Sequence, residues 1–71
     1  MRGTIESVVV SNNLKSARVR NGLLQEDVAK LLGVSRQTII SYENNPENLK
    51  LWQFNKLAEI YGCSVNYFFG F

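Results

Sequence analysis

Seventy-one residues make one domain, of a size whose single core rarely contributes more than about 3–5 kcal/mol of net stability. The composition, 45% apolar and 20% charged, is ordinary for a globular chain, and eight Lys and Arg against six Asp and Glu leave a formal charge of +2; so mild a basic bias permits nucleic-acid binding without arguing for it. With no histidine and one cysteine, Cys63, the chain can build neither a disulfide framework nor a four-ligand zinc site nor a Ser–His or Cys–His nucleophile, so no enzyme, metal or other cofactor is expected.

Cys63 itself reads as a small packed hydrophobe. No apolar run approaches the roughly 20 residues that span a bilayer. The first six residues lack the apolar stretch of a signal peptide, so no membrane association and a cytoplasmic location are the default expectations.

Residues 1–11 read as a leader. Val8, Val9 and Val10 are β-branched and disfavour helix; the segment could pack on the body, pair as a strand or stay loose, a partly ordered terminus being the plainest reading. Helix one is expected from Asn12 or Asn13 to Arg20, capped by Asn12 and stopped by Asn21-Gly22, with Leu14, Ala17 and Arg18 on one face. Helix two should run from Gln25 to Leu32, turning Val28, Ala29 and Leu32 inward and ending at Gly33. Ser35 should cap helix three, Arg36 to about Asn44, which Asn45-Pro46 terminates. Helix four is expected over Lys50 to Tyr61, with Leu51, Phe54, Leu57, Ala58 and Tyr61 as one core-facing stripe. A short fifth helix, capped by Ser64, should bury Val65, Phe68 and Phe69. The sum is an all-α, compact five-helix domain over residues 12–71.

Only Gly33-Val34-Ser35 separates helices two and three, which holds them at a steep angle as a helix-turn-helix over about residues 25–44. At about 100° per residue, helix three places Thr38, Ile39, Tyr42 and Glu43 on one half and Arg36, Gln37, Ile40, Ser41 and Asn44 on the other. Ile39 and Tyr42 assign the first half to the core. The second half carries groups able to bond base edges or phosphates, although its composition alone equally describes a solvated helix face.

The run Leu23-Leu24-Gln25-Glu26-Asp27-Val28-Ala29-Lys30-Leu31-Leu32-Gly33-Val34-Ser35-Arg36-Gln37-Thr38-Ile39-Ile40-Ser41-Tyr42-Glu43-Asn44 resembles the phage-repressor, Cro-type helix-turn-helix family, also called the xenobiotic-response-element family. The likeness extends back to Leu14 and Arg18 and forward through Leu57-Ala58 and Gly62-Cys63-Ser64-Val65 to Phe68-Phe69-Gly70. It implies a lambda-repressor-like DNA-binding domain. It implies that Gln25 opens helix two against a phosphate, where free N–H groups favour an anion. It places Arg36, Gln37 and Thr38 in the major groove, Ser41 one turn later, and Asn44 on the DNA backbone, and it pairs Arg18 with Glu43 as a structural ion pair. The sequence departs from the family at Leu24, where a capping Ser, Thr or Asn is usual, at Ile40, usually small or polar, and at Ser41, often basic. It departs again at Asn45-Pro46-Glu47, where a glycine and a basic residue are usual.

These readings converge on a sequence-specific, DNA-binding transcriptional regulator, expected to be a repressor that binds a pseudo-palindromic operator in double-stranded DNA as a homodimer. Arg36, Gln37, Thr38, Ile40 and Ser41 are the base-reading candidates. Gln25, Asn44, Lys15 and Arg20 are the backbone candidates, with Arg2 and Lys50 as further cations that equally suit a solvated surface. Candidate dimer surfaces are Tyr67, Phe69 and Phe71, then Trp52 and Ile60, then Val8 to Val10. The alternative is a protein-interaction module such as the antitoxin of a toxin–antitoxin pair, using Ile40, Trp52 and the C-terminal aromatics. No small-molecule ligand and no sensor domain are evident in the sequence.

Overall fold

The computed structural model describes residues 5–70, so Arg2 and Phe71, named above, lie outside the described residues. The described chain folds as α1 (Ile5–Arg20), α2 (Gln25–Leu32), α3 (Arg36–Asn44), a 3-10 turn (Pro46–Asn48), α4 (Leu51–Tyr61) and α5 (Val65–Phe68). No strand occurs among the described residues, and none of the helices is long and apolar enough to cross a membrane.

The largest departure from expectation is the start of α1, at Ile5 instead of Asn12 or Asn13. Residues 5–11 are its first two turns. Val10 continues the apolar spacing of Leu14 and Ala17 one turn towards the N-terminus, and it is 6% exposed within the core. Burying a valine is worth about 1.5–3 kcal/mol, whereas helix propensities of ordinary residues differ by less than about 0.7 kcal/mol. Burial of Val10 therefore outweighs its own local preference against helix.

The core draws on all five helices: Val10, Leu14 and Ala17 from α1, Val28 and Ala29 from α2, Ile39 from α3, Phe54, Leu57, Ala58 and Tyr61 from α4, and Phe68 from α5. Phe68 is wholly buried, its ring centroid 6.2 Å from Phe54 and 6.3 Å, edge-on, from Tyr61, the offset geometry aromatic pairs prefer. Two expected core members differ. Leu51 is 68% exposed, Phe54 being the first buried residue of α4, while Trp52, expected off the core stripe, is 63% exposed. Phe69 follows the end of α5 and is 41% exposed. Leu32 and Val65 are half-buried against the core's edge. Ser64 holds the cap position of α5, but its side chain makes no capping bond.

Two amides tie α1 to the C-terminal helices. Asn13 Nδ2 donates to the carbonyls of Tyr67 and Phe68 at 3.1 and 3.2 Å. Asn21 Nδ2 donates to the carbonyls of Ala17 and Tyr61 at 2.8 and 2.9 Å. All four carbonyls lie in the last turns of their helices, where intrahelical donors run out.

The connection from α2 to α3 depends on Gly33. It adopts the left-handed conformation, φ 72°, ψ 32°, so that Val34 N–H reaches the Ala29 carbonyl at 3.0 Å and Gly33 N–H the Lys30 carbonyl at 3.3 Å, closing a Schellman motif. A Cβ at Gly33 would meet nothing within 4 Å, so the cost of a side chain there is conformational. Gly33→Ala is expected to lower stability by about 1–2 kcal/mol, read as a lower urea midpoint with an unchanged slope; an unchanged midpoint would show that the turn does not need the left-handed conformation.

Candidate nucleic-acid interface

The site is built around one buried carboxylate. Glu43, in the last turn of α3, is 2% exposed and is the charged residue of the described core. Its side chain meets Arg18 from α1, Nε to Oε2 at 2.6 Å and Nη2 to Oε1 at 3.4 Å. Gln25, the first residue of α2, donates its Nε2 to Oε1 at 3.0 Å. Arg18 spends a further donor on the Leu23 carbonyl at 2.9 Å. The Ser11 hydroxyl donates to the main-chain carbonyl of Glu43. α1 and α2 thus both reach Glu43 of α3, Arg18 tying in the α1–α2 connection as well, and no buried side-chain polar atom is without a partner among the described residues. Burial first, then the Glu43 carboxylate, push the neighbouring Tyr61 phenol well above its ordinary value, with Arg18 partly opposing them; the phenol stays protonated.

Both helices of the motif begin with defined caps. Ser35 Oγ accepts the Thr38 N–H at 3.2 Å and lies 2.9 Å from the Thr38 hydroxyl. Leu24, which has no capping atom, is in extended conformation, and its N–H donates to Asp27 Oδ2 at 2.8 Å. The acid three residues into the helix therefore makes half of a capping box.

With Ile39 and Glu43 turned inward, the opposite side of α3 is fixed. Arg36, Gln37, Ser41 and Asn44 are exposed along it. Ile40, between Arg36 and Asn44 on the wheel, is half-buried, yet it is not among the partly buried apolar residues that pack on the core. Thr38 stands to one side, half-buried, with its hydroxyl engaged by Ser35. Gln25 is half-buried, its amide committed to Glu43.

The cations proposed from sequence are scattered. Lys15 is half-buried on α1. Arg20 lies about 200° around α1 from Arg18, with its guanidinium carbon 4.9 Å from the Tyr67 ring centroid, while Tyr67 donates to Ser16 at 3.2 Å. That contact sets Arg20 on the α5 side, away from α3. Lys50 caps α4, its N–H held by Gln53 Oε1 at 2.6 Å. Burial raises the Cys63 thiol above its ordinary value, opposed by Arg20.

Sequence reasoning missed five contributors. Ser11 lies two turns before Arg18 on the same face, and Asp27 holds the third position of its helix; both spacings were readable. The Gln25–Glu43 bond and the long-range amide ties of Asn13 and Asn21 have no local signature.

A helix-turn-helix family model matches residues 14–68. The chain belongs to the Cro/C1-type helix-turn-helix family. Among its relatives is an uncharacterized helix-turn-helix-type transcriptional regulator of Methanocaldococcus jannaschii, 43% identical over 56 residues, which are 79% of this chain and 85% of that protein. Antitoxin HipB of Escherichia coli K12 is 38% identical over 50 residues, 70% of this chain and 57% of its own. The cryptic phage CTXphi transcriptional repressor RstR of Vibrio cholerae is 36% identical over 55 residues, 78% of this chain and 50% of its own. The chain therefore spans about half the length of HipB and of RstR. No solved structure matches it at comparable stringency.

Breaking a buried ion pair by removing one partner costs about 3–5 kcal/mol, which equals the whole stability expected of a domain this small. Arg18→Ala is accordingly expected to be largely unfolded at 37 °C by circular dichroism. The apolar double replacement Arg18→Met with Glu43→Leu should recover most of the loss, because no charge is then stranded. A folded Arg18→Ala protein with near-wild-type melting would show that water solvates Glu43 in its place.

Proposed function

We propose that the chain is a sequence-specific DNA-binding transcriptional regulator, and in its finer form a repressor that binds a pseudo-palindromic operator as a homodimer. The observation that carries this reading is the outward side of α3. Arg36, Gln37, Ser41 and Asn44 stand exposed on the second helix of the helix-turn-helix while its inner side is anchored through Ile39 and Glu43. Arginine bonds two acceptors of guanine and glutamine the donor–acceptor pair of adenine, so Arg36 and Gln37 are assigned to bases. Ser41 and Ile40 lie beside them, and Thr38, with its hydroxyl held at the cap, plays the smaller part. Asn44 and the start of α2 at Gln25 are assigned to the DNA backbone, with Lys15 and Arg20 as the candidate cations, the Arg20 guanidinium lying over the Tyr67 ring. No catalytic step is part of the reading.

One recognition helix covers only a few base pairs, so a useful operator calls for two copies, with recognition helices about 34 Å apart. The exposed apolar residues Val8, Val9, Trp52 and Phe69 are the surfaces from which such a contact would be drawn. A second reading, an antitoxin, is favoured by the likeness to HipB and by the exposed cluster of Leu51 and Trp52 on α4, which α3 does not need. The two readings share the DNA-binding side.

Selection of bound sequences from a random DNA pool tests the proposal. The expected result is an enriched pseudo-palindrome, two chains per site by sedimentation, and a loss of about 1–3 kcal/mol of discrimination on Arg36→Ala or Gln37→Ala. Absence of enrichment, or both variants retaining the wild-type preference, would overturn it.

A further inference from the structure

Ile40 is an aliphatic side chain for which the fold has no use. It sits on the outward side of α3, at a wheel position between Arg36 and Asn44, each one turn away, and is flanked by Gln37 and Ser41. The residues that build or line the core include Ile39 on the preceding position and Tyr42 two positions later, but not Ile40. It is half-buried, an aliphatic side chain within an otherwise hydrogen-bonding set of outward residues.

We propose, resting on the DNA-binding reading above, that Ile40 reads the C5-methyl group of a pyrimidine in the major groove. It would make the operator a thymine-requiring site at one defined position in each half. In the major groove the thymine methyl is the apolar feature that base pairs present; guanine, adenine and cytosine offer donors and acceptors there. An isoleucine surrounded by arginine, glutamine, serine and asparagine makes a division of labour. The polar neighbours answer hydrogen-bonding edges, and the aliphatic centre answers a methyl. Glutamine, serine and asparagine can each donate to the thymine O4 or accept from the cytosine N4 amine. The neighbours therefore tolerate either exocyclic group, and the methyl carries the distinction. It follows that 5-methylcytosine, which presents the same methyl, is accepted at this position better than cytosine.

The test uses the operator enriched by the wild-type protein and replaces each thymine of one half-site in turn by deoxyuridine, which differs only by the methyl. At one position affinity should fall about fourfold, the effect of returning one methyl-sized group to water. At that position 5-methylcytosine should bind better than cytosine by a similar factor. In Ile40→Ala, folded by circular dichroism, both differences should vanish while the requirement set by Arg36 persists. An operator indifferent to deoxyuridine at every thymine, or an Ile40→Ala protein that keeps both methyl effects, would overturn the inference and leave the DNA-binding reading standing. Failure to enrich any operator would overturn that reading first, and this inference with it.

Discussion

A carboxylate removed from water must find its hydrogen bonds inside the protein, and Glu43 finds them on two other helices. Arg18 reaches it from α1 and Gln25 from the start of α2, while Ser11, also on α1, donates to its main-chain carbonyl. The net contribution of such a group to stability is small or negative when set against an apolar core, because both ions lose their hydration. Its contribution to geometry is large. A carboxylate accepts along a few fixed directions, so the rotation of α3 about its own axis is set by donors on α1 and α2. An apolar contact of equal area would leave that rotation softer.

The orientation of the recognition helix follows from this. Ile39 and Glu43 lie one turn apart on the inner side, and with both fixed the outward residues have no freedom to exchange places with them. Gly33 and Ser35 complete the constraint at the other end, one closing α2 and the other opening α3 within three residues. Gln25 serves two elements at once, since the residue that begins α2 also donates to the last turn of α3.

Most of this plan is legible in the sequence because it is encoded locally. Gly33-Val34-Ser35 is a stop, a spacer and a cap in consecutive residues, and the inward pair of α3 shows in its 3.6-residue period. Asn21-Gly22 and Gly62 likewise punctuate α1 and α4 at the places expected. What was not legible depends on burial by distant segments. Val8 to Val10 look unhelical until Phe54 and Phe68 are in place to receive Val10. Leu51 continues the apolar stripe of α4 in sequence and yet is exposed, with Phe54 the first residue of the stripe to be buried. The placement of the Arg20 guanidinium over the ring of Tyr67 could not be read either, because the two residues lie far apart in sequence. At the site itself, residue types and helix face could be read, whereas the commitment of the Gln25 amide and of the Thr38 hydroxyl could not, because each is decided by a partner's position.

The separation of duties along α3 bears on how such a protein diversifies. Ile39 and Glu43 hold the helix, while Arg36, Gln37, Ile40, Ser41 and Asn44 contribute nothing to the packed core. Surface substitutions away from caps and cores usually change stability by no more than about 0.5 kcal/mol. A gene duplicate can therefore drift through altered outward residues without losing its fold, and two daughter proteins can part company over which sites they occupy while keeping the same scaffold. The buried carboxylate, which adds little energy, is what makes that drift safe.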